Sequence, residues 1–146
     1  IFDQKTFRVE EKMLAEQADG VIEQLHLQRF ANHSVGSEPY GIQKMTAVGI
    51  ALIDRPKLLL LDEPAAGLNP SERTMFVDMI QEILEEGTKI LLIEHNMDVV
   101  MNISKKITVL NFGSKIAEGT PEEIRDNDTV IKAYLGKKFY KPEEAI

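Results

Sequence analysis

Two short apolar runs, each closed by acid, limit what this chain can fold into. One lies in "KLLLLDEP", Lys57 to Pro64, and the other in "TKILLIEH", Thr88 to His95. Leu58 to Leu61 is too short and too uniformly apolar for a surface helix, and reads as a strand buried on both faces. The second run repeats the pattern. Burying an unpartnered carboxylate costs several kcal/mol, so the acids belong at strand ends, either solvated or held for chemistry. Taken alone, "LLLLDE" fits both readings.

The flanking segments favour a site. Apolar residues recur at three- and four-residue spacing from Phe7 to about Phe30, which predicts helix, with Gly20 a point where it could divide. Asn32 to Gly41 is dense in turn formers, and a second helix is predicted from Gly41 to Ile53, stopped by "DRP". Ser71 to Glu86 reads as an amphipathic helix, with Met75, Phe76, Met79, Ile80, Ile83 and Leu84 on one side and Gly87 at its stop. A short helix over Asn96 to Ile103 and a hairpin about Gly113-Ser114 follow. "TPEEIRDN" then opens a helix with a capping box, and a last helix runs from Thr129 to about Leu135. This order predicts an α/β fold with a central, mostly parallel sheet flanked by helices and a C-terminal hairpin. In such sheets ligands sit beyond the carboxyl ends of the strands, so Asp62-Glu63 and Glu94-His95 are expected along one edge.

Composition narrows the classes. Hydrophobic residues at 43% and charged residues at 28% are the balance of a globular chain, and no apolar run approaches the roughly 20 residues of a membrane helix. A net charge of −7 argues against a broad nucleic-acid-binding face, so no nucleic-acid partner is expected. The absence of cysteine removes disulfides and thiolate metal sites and fits a cytosolic setting. His26 and His33 have no carboxylate cluster at ligand spacing and read as surface or packing residues.

An apolar strand ending in Asp-Glu is the Walker B pattern of P-loop nucleotide hydrolases, in which the Asp supports Mg²⁺ and a neighbouring carboxylate can accept a hydrogen bond from the attacking water. A His beyond the adjacent strand can donate to developing phosphoryl charge. The motif set resembles the ATP-binding cassette (ABC) ATPases: "LLLLDEP" their Walker B, "AGLNP" (Ala66 to Pro70) their D-loop, "LLIEHN" (Leu91 to Asn96) their switch histidine, and "PYGIQ" (Pro39 to Gln43) their signature. "LDEPAAGLNP", "IEHNMDVVM" and "IAEGTPEEIRDNDTVIKAYLG" are similar to the ATPase subunits of branched-chain amino-acid importers.

That resemblance implies a partial P-loop NTPase fold: part of a helical subdomain with the signature over residues 1–55, the C-terminal part of a RecA-like core over 56–136, and a polar tail over 137–146. It implies ATP and Mg²⁺ as ligands. Asp62 would support the metal, Glu63 act as general base, and His95 contact the γ-phosphate. Tyr40, Gly41 and Gln43 would meet ATP held by a second ABC ATPase subunit, and Asn69 would couple the two sites. Transmembrane permease subunits are the further partners implied, with the chain cytoplasmic and peripheral at the inner face of the membrane.

Three features depart from the pattern. Tyr40 stands where the family usually has Ser, as it tends to in the amino-acid importer branch; Ile42 replaces a small or polar residue; Ile50 replaces Arg. The sequence also contains no G-x-x-x-x-G-K-[ST], the loop that cradles phosphates. The chain therefore reads as the C-terminal part of such an ATPase, expected to bind and hydrolyse ATP poorly alone. Strands without neighbours expose apolar edges, so self-association, or a rearranged sheet, is expected. The other reading is a non-catalytic module that complements or inhibits a complete ATPase.

Overall fold

The computed structural model describes residues 4–135, and its contacts divide the chain into two units between Asn96 and Met97. The boundary expected near residue 55 falls inside the first unit. The polar tail lies outside the described residues.

The first unit opens with α1 (Gln4–Gln24), which runs through Gly20 unbroken, and a short 3₁₀ turn at Gln28–Phe30. A second 3₁₀ turn, Val35–Ser37, precedes α2 (Tyr40–Leu52). Gly49 marks where α1 and α2 approach: a Cβ there would lie 3.0 Å from Leu25 Cδ1 and 3.3 Å from Val21 Cγ1. The strand β1 (Leu58–Asp62) leads into α3 (Pro70–Glu85), and β2 (Lys89–Ile93) follows Gly87, whose φ of +97° suits only glycine well. The apolar stripe of α3 is buried at Phe76, Met79, Ile80 and Ile83. Met75, predicted on that stripe, is exposed instead, because it sits at the stripe's margin, one residue before Phe76.

β1 and β2 pair in parallel, Leu58 with Lys89 through Asp62 with Ile93. The expectation of strands buried on both faces is corrected here. Leu59 is buried, but Leu58, Leu60, Leu91 and Ile93 are 54, 66, 60 and 61% exposed. Alternate residues of a strand face opposite sides, and the register sets these four on one face of the pair. The uniform apolar run hides that difference, because both faces carry leucine or isoleucine.

The second unit holds α4 (Met97–Ile103), the antiparallel pair β3 (Ile107–Asn111) and β4 (Ser114–Gly119), α5 (Pro121–Arg125) and α6 (Asp128–Leu135). Its core is Ile107, Ile124 and Val130, with Val100, Met101, Val109 and Ala117 against it. The hairpin turns on Phe112-Gly113 rather than Gly113-Ser114, since both Phe112 (φ +46°) and Gly113 (φ +77°) are left-handed while Ser114 already pairs with Asn111. The predicted capping box is present: Thr120 Oγ1 accepts from Glu123 N–H at 3.4 Å, and Glu123 Oε2 accepts from Thr120 N–H at 2.8 Å.

Glu118 on β4 is held between Lys106 and Lys115, with Lys115 Nζ 2.8 Å away. The hydrogen bond from Lys106 first, then that from Lys115, lowers its pKa from 4.5 to about 2. A depressed carboxylate adds stability that is complete above its unfolded pKa and is lost as pH falls through the folded one. A carboxyl titration by NMR is expected to place Glu118 near the lower value, and Lys106→Ala to return it toward 4.5. No change in Lys106→Ala would remove the ion pair as the cause.

Among the described residues the β1–β2 sheet has two strands, so each has an open edge as well as the apolar face described above. Light scattering on the full chain is expected to show concentration-dependent self-association, reduced by Leu60→Lys on the exposed face. A monodisperse monomer across that range contradicts this.

Candidate functional site

The carboxyl ends of β1 and β2 bring three of the predicted residues together. Asp62 is the last residue of β1 and is exposed beside Ile93. Glu63 extends the ladder by one bond, its N–H donating to Ile93 O at 2.8 Å. It does so at φ +44°, in the left-handed region that costs a non-glycine residue on the order of 1–2 kcal/mol. The turn aims its carboxylate across to the end of β2, where Glu63 Oε1 lies 3.4 Å from His95 Nδ1. Both side chains are largely exposed, so they remain accessible to a ligand.

Glu94 holds this geometry and was not among the predicted site residues. Its Oε1 accepts from Ala65 N–H at 2.8 Å, and its Oε2 accepts from His95 N–H at 3.0 Å and Asn96 N–H at 3.1 Å. One half-buried carboxylate thus ties the loop after β1 to the loop after β2 and sets His95 opposite Glu63. The sequence signal was the acid directly before the histidine, which reads equally as a strand-end charge until the strands are paired.

The remaining predicted residues gather at the start of α2 and the loop before α3. Asn69 is the N-cap of α3: its Oδ1 accepts from Glu72 N–H at 3.0 Å and from Ser71 Oγ at 2.7 Å. Gly67, at φ +80°, lies under the Tyr40 ring, where an added Cβ would come within 3.0 Å of Tyr40 Cε1. Lys44 Nζ stands 5.4 Å from the Tyr40 ring centroid. Gly41 is buried, and Gln43 turns back to donate from Nε2 to Glu38 O at 2.8 Å. Ile50 is exposed on the outer face of α2, so its departure from Arg lies on the surface.

Among the described residues no group of three or more His, Asp or Glu could hold a metal unaided. A single exposed carboxylate at a strand end fits Mg²⁺, which takes one or two protein carboxylates and fills its shell with water and phosphate oxygens. His26 and His33 each meet one glutamate, Glu82 at 3.2 Å and Glu38 at 2.9 Å, consistent with surface roles. No helix among the described residues is long and apolar enough to cross a membrane.

Residues 114–140 match the family model of the branched-chain amino acid ATP-binding cassette transporter. Over 138 residues the chain is 45% identical to the high-affinity branched-chain amino acid transport ATP-binding protein BraF of Pseudomonas aeruginosa, covering 94% of this chain and 54% of that protein. It is 41% identical to the corresponding protein LivG of Escherichia coli K12, covering 90% and 52%. The chain thus spans about half the length of the curated relatives it matches. Among solved structures it is similar to the ATP-binding cassette MJ1267 in its ADP conformation, with a TM-score of 0.78, 29% identity, and coverage of 85% of this chain and 50% of that one. CbiO1 of Clostridium perfringens, part of a cbiONQ transporter complex, gives a TM-score of 0.74 at 26% identity.

The left-handed backbone at Glu63 yields a direct test. Glu63→Gly removes the strain, and urea unfolding is expected to show a gain of about 0.5–1 kcal/mol. A loss of stability would mean that Glu63 is not strained there.

Proposed function

Since the chain belongs to the ATP-binding cassette ATPases, in the branch of the branched-chain amino-acid transport proteins, we propose that its strand-end acids serve Mg-ATP hydrolysis coupled to amino-acid import. The observation that carries this reading is the Glu63–His95 contact at the ends of paired parallel strands, with Asp62 alongside. Asp62 supplies one carboxylate to Mg²⁺, which when bound neutralises phosphate charge. Glu63 orients a water and takes its proton as the oxygen bonds to the γ-phosphorus. The bond from that phosphorus to the oxygen of the departing ADP breaks in the same displacement. His95 donates to the γ-phosphate oxygens. Tyr40, Gly41 and Gln43 face ATP carried by a second ATPase subunit, and Asn69 stands between the two sites.

In this reading the partners are that second subunit and transmembrane permease subunits, and the place of action is the inner face of the membrane. The absence of G-x-x-x-x-G-K-[ST] from these 146 residues supports weak nucleotide handling by this polypeptide alone. A second reading, a module that complements or inhibits a complete ATPase, is favoured by the exposed apolar face of the β1–β2 pair. Added to an intact relative, a module of that kind changes its ATPase rate; an unchanged rate argues against it.

Phosphate release by the purified chain is expected to stay at background. Low-micromolar ATP affinity with Glu63-dependent turnover would overturn the expectation of inactivity. When the chain is combined with the half of a relative that carries the phosphate loop, turnover is expected to appear. Glu63→Gln should then lower it by at least about a hundredfold, as loss of a general base does. A stable complex whose turnover ignores Glu63→Gln would remove the catalytic role.

A further inference from the structure

The helix α2 begins without a cap of its own. Its N-cap position is Pro39, whose side chain accepts no hydrogen bond. The first N–H groups of a helix have no partner within it and need one from elsewhere. Gly41, in the first turn of α2, finds it on another element: its N–H donates to Glu72 Oε1 at 3.1 Å, across 31 residues of sequence.

Glu72 is already occupied. As the third residue of α3 it closes a capping box, its Oε2 accepting from Asn69 N–H at 2.9 Å while its own N–H donates to Asn69 Oδ1. One carboxylate therefore caps two helices, one oxygen for each. The positive ends of both helix dipoles converge on its charge, which makes each bond stronger than a neutral one. The fit is close: a Cβ on Gly41 would lie 2.8 Å from Glu72 Cγ, so only glycine admits the carboxylate at this distance. The Tyr40 ring, one residue before Gly41, packs against Gly67, two residues before Asn69, beside the same junction. A cavity of about 170 Å³ lies beside this junction, with Gly41, Ile42, Met45, Glu72 and Met75 in its wall.

We propose that Glu72 is a positioning residue that clasps the start of α2 to the Asn69 loop, so that a change at either end is felt at the other. The clasp stands on hydrogen-bond geometry alone; only the roles of the two joined segments, one facing phosphate and one spanning a dimer, rest on the proposed function. Any acceptor that takes the Gly41 N–H must displace Glu72, and the freed carboxylate then loosens its hold on Asn69.

Site-resolved amide hydrogen exchange on the full chain tests this without reference to ATP turnover. In Glu72→Ala the Gly41 and Asn69 amides are expected to exchange roughly tenfold faster or more, the factor that corresponds to a lost charge-assisted hydrogen bond, while Val48 in mid-α2 keeps its rate. Glu72→Gln, with one acceptor oxygen in place of two, should restore protection at one of the two amides; being isosteric, it also carries the test if the alanine variant does not fold. Asn69→Ala should speed exchange at Gly41 as well, which a cap local to α3 would not do. Unchanged Gly41 exchange in Glu72→Ala, or in Asn69→Ala, overturns the proposal. The Glu63→Gln turnover experiment can fail while these rates still change, so the two readings fail separately.

Discussion

The parallel pairing of Leu58–Asp62 with Lys89–Ile93 is the constraint on which the first unit depends. Its register sets the carboxyl ends of the two strands level, and everything chemical at this end follows from that. Glu63 adds one more ladder bond in a left-handed conformation, which turns its carboxylate toward the second strand's end. Glu94 then spans the two exit loops with three backbone hydrogen bonds. A strained residue and a bridging acid together place His95 against Glu63, at the cost of an unfavourable φ that the ladder and the bridge over-determine.

A second junction joins α2 to the loop before α3, and it is built from helix ends rather than strands. Pro39 cannot cap α2, Asn69 does cap α3, and the Glu72 of that cap reaches over to serve Gly41. Gly41 is glycine because the Glu72 side chain occupies the space a Cβ would need, and Gly67 because its φ is +80°, with the Tyr40 ring against it as well. Backbone hydrogen-bond groups left over at the ends of elements thus organise both parts of the candidate site.

Much of this was legible in the residues. The two apolar runs, the capping box at Thr120, the amphipathic α3 and the strand-end acids all follow local rules, and each appears where those rules put it. The misjudged features are those where two environments look alike in sequence. A leucine on a covered face and one on an open face read identically, so the exposure of Leu58, Leu60, Leu91 and Ile93 could not be told from a run of apolar letters. The hairpin turn slipped by one residue because Phe112 takes a left-handed conformation that its type does not advertise.

Local chemistry in the sequence determined the elements and their order and marked the strand-end acids as candidates for a site, because propensity, periodicity and capping act over a few residues. Which of those residues meet was decided by the tertiary structure alone. Glu63 faces His95 across 32 positions of sequence and Gly41 meets Glu72 across 31, and such contacts exist only once strand register and helix packing have closed the intervening chain. The double duty of Glu72 belongs wholly to that second level, since its place in one helix cap says nothing of the other helix end it serves.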